Sequence, residues 1–165
     1  VREIAKLRGG MVAEERDALK TLHRHAVMAR WGRTAYVNKS GGYSWRGECL
    51  KCGKERPLQT AHVEPVGRVR ALQYDVDNAV PLCGGCHIHW WHKFPRQAEA
   101  WIVTVIGQEK RDALARKADG VDEDGMKLPP DVLERPCYGA IRLDLEREIR
   151  RTAPAMAEDL IASAA

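Results

Sequence analysis

Between residues 13 and 31 the apolar positions Leu19, Leu22, Ala26 and Ala29 recur at helical spacing, with Arg16, Lys20, Arg24 and Arg30 on other faces. That pattern predicts an amphipathic helix with a basic exterior. Asn38-Lys39-Ser40-Gly41-Gly42 interrupts it as a loop. Leu58 to Val63 predicts a short strand stopped by Pro65, and Gly67 to Tyr74 a hairpin region. Helix resumes at Cys86. Pro95 opens a further helix through Gly107, whose apolar stripe is Ala98, Trp101, Ile102 and Val105, and Gln108 to Ala118 forms another. Asp119 to Asp131 is acidic and carries Gly and Pro, so it reads as a solvated linker rather than a calcium loop. Beyond it, Ile141, Leu145 and Ile149 make an i, i+4, i+8 stripe on a charged helix, expected to serve as a docking arm or dimer contact.

Charge sharpens this picture more than composition does. The 165 residues carry a formal net charge of +4. Residues 1–60 hold a balance of +7, residues 61–101 are neutral, and residues 102–165 sum to −3. The basic N-terminal third is therefore the part expected to face a polyanion, with an ordinary solvated surface as the plainer reading. His23 and His25, either side of Arg24 on that helix, are expected at the surface. No apolar run approaches the roughly 18 residues of a membrane span, and no secretory leader is legible, so a soluble, cytoplasmic protein is expected.

Cysteine spacing carries the first chemistry. Cys49 and Cys52 form one Cys-x-x-Cys knuckle, Cys83 and Cys86 a second, and Cys137 stands alone. Two close pairs supply four thiolates for a structural zinc ion, and Gly53 allows a tight turn after the first pair. An odd thiol and adjacent pairs fit a disulfide framework poorly and suggest a reducing compartment. Between the knuckles stand His62 and Asn78, and His87 follows the second directly. Phosphodiester hydrolysis needs a base for water, a divalent ion on the phosphate, and groups that fix both. A neutral histidine suits the first role at pH 7, and imidazole or oxygen ligands suit the second.

The run Ala61-His62-Val63-Glu64-Pro65, followed by Asn78-Ala79-Val80-Pro81-Leu82-Cys83-Gly84-Gly85-Cys86-His87, resembles HNH endonucleases of the ββα-metal superfamily. It is also similar to phage HNH proteins of the NinG recombination type. The resemblance covers residues 49 to 87. It implies an α+β fold with a small zinc-stapled ββα-metal core flanked by N- and C-terminal helices. It implies His62 as general base, His87 as ligand of a catalytic Mg²⁺, Mn²⁺ or other divalent ion, and Asn78 as the residue that orients the hairpin or approaches the metal. Cys49, Cys52, Cys83 and Cys86 would hold zinc, and Arg68 and Arg70 would meet the DNA backbone. Many such proteins carry Asp or His directly before the first His. Ala61 cannot bind metal there, which leaves Asp75, Asp77, His89 and His92 as replacements; on a regular helix His92 shares a face with His89 rather than His87.

The expected organisation is a basic helical arm at 1–44, the nuclease core at 45–94, a helical extension at 95–118, an acidic linker at 119–131 and a C-terminal helical arm at 132–165. The function implied is hydrolysis of DNA in phage or bacterial DNA processing. The alternative raised by Ala61 is a zinc-dependent DNA-binding module without catalysis.

Overall fold

A computed structural model describes residues 13–66, 72–128 and 137–165. Helix α1 (Ala13–Arg30) places Glu14 and Glu15 in its first turn and Arg30 in its last, each at the end of the helix dipole that favours its charge. Gly32, at φ +64°, ends it. The N–H groups of Gly32 and Arg33 return to the carbonyls of Ala29 and Met28, a left-handed cap that glycine adopts without strain.

Strands β1 (Thr34–Val37), β2 (Tyr43–Glu48), β3 (Glu55–His62) and β4 (Ala79–Cys83) form one antiparallel sheet in chain order. Strand β3 starts earlier than the apolar pattern suggests. Pro57 is tolerated because β4 pairs only with Leu58 to His62, so no partner on that side needs the missing N–H. The β3–β4 register sets His62 opposite Ala79 and Ala61 opposite Val80. After β4 come a helical turn (Gly84–Cys86), a π-helical turn (His87–Trp91), α2 (Pro95–Ile106), α3 (Gln108–Ala118), α4 (Tyr138–Thr152) and α5 (Ala157–Ala162). The chain is thus α+β, with helices flanking a four-stranded sheet. Among the described residues no helix is long and apolar enough to cross a membrane.

One main core joins the two ends of the chain. Leu19, Leu22, Ala26 and Met28 of α1 meet Trp45, Leu58, Val80 and Leu82 of the sheet, Ile102 of α2, Leu145 and Ile149 of α4, and Leu160 of α5. Two positions of the stripe on α4 lie inside this core. Leu145 and Ile149 are buried within the chain, and Arg30 of α1 reaches Glu148 of α4 at 3.9 Å. The terminal helices are parts of the core rather than projecting arms, because each has an apolar face that the small sheet alone cannot cover.

His23 and His25 also depart from expectation: both are buried, at 3% and 0% exposure. His25 is fully bonded. Trp45 Nε1–H donates to its Nδ1 at 3.0 Å, and its Nε2 lies 3.1 Å from Ser163 Oγ, whose own proton goes to the Leu160 carbonyl. The acceptor role of Nδ1 fixes Nε2 as the protonated nitrogen, so this relay ties α1, β2 and the end of α5 with a neutral ring.

Candidate active site and metal centre

The four knuckle cysteines converge. Cys49 and Cys52 lie on the turn after β2, where Gly53, at φ +69°, returns its N–H to the Cys49 carbonyl at 2.9 Å. Cys83 ends β4 and Cys86 closes the helical turn behind it. All four Sγ atoms lie within 4.8 Å of one another, with Cys52 and Cys83 at 4.0 Å. Tetrahedral thiolates about 2.3 Å from a zinc ion stand roughly 3.8 Å apart, so the cluster fits a metal ion such as zinc. The cysteines are free thiols. Burial pushes the Cys49 thiol up, yet the N–H groups of Cys83, Cys52 and Lys51 outweigh it and bring the pKa down to about 7. Burial and the neighbouring thiols push the Cys86 thiol the other way, up from its ordinary value, so without a cation the four sulfurs do not all ionise together, and a bound metal would draw off the remaining protons.

The cluster fastens the end of β4 to the β2–β3 turn, and so fixes where His87 emerges. His87 Nδ1 lies 2.9 Å from Gln59 Oε1 of β3. An amide oxygen only accepts, so Nδ1 carries the proton and Nε2 presents its lone pair, the arrangement of a histidine ready to ligate metal. Burial, His92 and His62 all hold the His87 pKa below its ordinary value.

The π-helical turn sets which of the candidate residues comes close to His87. The His92 N–H bonds to the His87 carbonyl, an i→i+5 step, at 3.3 Å. That extra residue per turn carries His92 onto the His87 face, with ring centroids 4.8 Å apart. The expected pairing of His92 with His89 is therefore corrected. Asp75 is held by Lys117 at 2.8 Å and caps the Asp77 N–H, while Asp77 pairs with Arg30 at 2.8 Å. Ala61 itself is sealed in the core, at 0% exposure.

His62 stands at the end of β3 and shares with His87 and His92 a cavity of about 640 Å³, also lined by Glu64, Glu99 and Arg111. Its Nε2 lies 3.2 Å from the Gln73 carbonyl, which makes Nε2 the N–H and Nδ1 the free base. Burial lowers its pKa, against the opposing pull of that carbonyl, so the ring is neutral near pH 7. The Asn78 side chain bonds backbone groups rather than the histidines. It is fully buried and laces the loop: Oδ1 accepts the Glu64 N–H at 2.7 Å, and Nδ2 donates to the carbonyls of Glu64 and Leu72. These bonds tie the segment after His62 to the loop ahead of β4.

Arg68 and Arg70 lie outside the described residues. Sequence reasoning missed His23, whose ring backs His62, and Gln59, which orients His87. It also missed Arg111, which pairs with the buried Glu64 at 2.7 Å and with Glu99 at 2.6 Å and so walls the cavity. These partners come from elements distant in sequence, and no local spacing signals them. Comparison with protein-family models, curated proteins and solved structures finds no match to this chain.

Proposed function

We propose that the chain is a metal-dependent DNA endonuclease of the HNH type, acting inside a bacterial or phage-infected cell in DNA processing or recombination. The observation that carries this reading is His62. Its ring is half-buried and neutral, its Nε2 is engaged by the Gln73 carbonyl, and it lines the cavity that holds His87 and His92. Among the described residues Nδ1 has no hydrogen-bond partner, and a merely structural histidine has no need of such a basic nitrogen in a cavity with two further imidazoles.

In this reading zinc in the four-cysteine cluster is structural, and His87 with His92 would hold the catalytic divalent ion. That ion supplies positive charge to the phosphoryl and leaving oxygens. Two imidazole donors suit Mn²⁺, Co²⁺ or Ni²⁺ better than Mg²⁺. His62 Nδ1 takes the proton of the attacking water as its oxygen bonds to phosphorus. One phosphoester P–O bond breaks, and the leaving oxygen recovers a proton from solvent. Asn78 fixes the loop that follows His62, and Gln59 fixes the His87 tautomer.

A second reading, a DNA-binding module without catalysis, is favoured by one feature. Among the described residues the cysteine cluster is the only group of three or more potential ligands, so the histidine site offers few donors. Nicking of supercoiled plasmid with Mn²⁺, Mg²⁺ or EDTA separates the two. Wild type should nick with Mn²⁺ and not in EDTA, and His62→Ala should lose about 10²–10⁴-fold in rate while retaining DNA affinity. No nicking by zinc-loaded wild type with any of these ions would favour the binding module.

A further inference from the structure

Two more cavities continue the groove away from the histidines, on the α1 side. One of about 480 Å³ shares Thr60 and His62 with the histidine cavity and runs past Lys20, Arg24 and Tyr74. The next, of about 640 Å³, shares Arg24, Leu58 and Gln59 with it and extends to Lys54, Arg56 and Tyr36 beside the cysteine cluster. His62 therefore sits at the joint of a continuous furrow. Among the described residues no aspartate or glutamate lines either of these two cavities, in a chain with 23 acidic residues. The histidine cavity differs, since Glu64 and Glu99 face it.

Of the furrow's cations Lys20 is paired, with Asp17 at 3.0 Å. Among the described residues Arg24, Lys54 and Arg56 have no carboxylate partner. Arg24 makes a single long bond, 3.5 Å to the Tyr43 carbonyl. Arg24, Lys54 and Arg56 are all exposed, so their charged ends are open to an anion that enters the furrow. Tyr36 stands at the far rim, 39% exposed, with the Arg46 guanidinium 6.0 Å from its ring centroid.

We infer that Arg24, Lys54 and Arg56 form a backbone track that grips the phosphates of the nucleic-acid strand leading to His62. This inference rests on the nuclease reading for its direction but not for its chemistry. Spaced cations without acidic neighbours recognise a chain of phosphodiesters, whose affinity grows by release of condensed counterions. The competing role for Lys54 and Arg56 is local: neutralising the anionic metal–thiolate cluster at their end of the furrow.

The test uses the full chain, zinc-loaded, in EDTA at a concentration that leaves the cysteine site filled, so that no cleavage occurs. Binding of a fluorescein-labelled DNA duplex is followed by anisotropy across a salt series. Lys54→Gln with Arg56→Gln should reduce the slope of log affinity against log salt by about 2, and so weaken binding about 10²-fold at 0.1 M salt. Lys127→Gln with Arg147→Gln, an equal charge change elsewhere, should leave the slope unchanged. An unchanged slope in the furrow variant, an equal loss in the control pair, or zinc loss in the furrow variant without a change of slope would each overturn the track. Plasmid nicking keeps this separate from the nuclease reading. If wild type nicks and the furrow variant keeps its slope, the track fails alone; if the slope falls but wild type never nicks, the track stands and the nuclease reading fails.

Discussion

The imidazole of His23 lies face to face with that of His62, ring centroids 5.3 Å apart and planes 12° from parallel. His23 comes from the middle of α1, and its Nε2 is 3.1 Å from the Asp75 carbonyl. The ring that backs the proposed base is thus anchored to the loop ahead of Asn78. A stacked wall of this kind limits the orientations open to the His62 ring.

His23→Ala should therefore lower kcat with little change in KM, by up to about 10²-fold, the scale on which small misplacements act. His23→Phe keeps a flat ring and should recover much of the loss. Steady-state nicking kinetics of both variants, with circular dichroism as a fold control, measure this. Equal loss in both variants would give His23 a role beyond stacking.

Acid should unfold the protein early. Burial holds both His23 and His25 down to about 4; His62 adds to the effect at His23, against the pull of Asp75, and Arg24 adds to it at His25. Unfolded histidine binds a proton near pH 6.5. The stability gained from keeping these rings neutral is complete above that pH and is lost as pH falls from about 6.5 to about 4. The expected slope is about 1.4 kcal/mol per pH unit for each ring. Urea unfolding at several pH values checks it, and His25→Gln should flatten the curve by one ring's share.

Cys83→Ser should remove the metal and unfold the core rather than only slow cleavage. Structural zinc contributes on the order of 10 kcal/mol in small domains. Elemental analysis should find one zinc per chain in wild type and none in the variant, with loss of the thermal transition. A folded, monodisperse wild type without zinc would remove the basis for the cluster's assignment.

His92→Ala should raise the Mn²⁺ concentration needed for half-maximal nicking, and His89→Ala should not. Restoring a carboxylate at Ala61 should not tighten the site. Ala61 packs in the core, and Ala61→Asp should destabilise the fold by about 2–7 kcal/mol. Metal titration of nicking tests the first pair of variants, and thermal melting the third.

The local chemistry was legible from spacing alone. Two Cys-x-x-Cys knuckles with a glycine after the first fix a four-thiol cluster, because the ligands of each pair are close along the chain. Helix α1, the loop at 38–42 and the helix from Pro95 follow from apolar period, glycine and proline, which act within a few residues. What sequence period did not decide is what sits opposite. His92 moved to the His87 face because one i→i+5 turn shifts the helical register, and no residue type announces that turn. His23 and His25 read as surface residues on a basic helix, yet the sheet and α5 close over them with partners up to 138 positions away. The stripe of Leu145 and Ile149 announced a contact but not its address. Apolar periodicity states that a face must be covered; only the packing of the whole chain determines that α1 and α5 cover it.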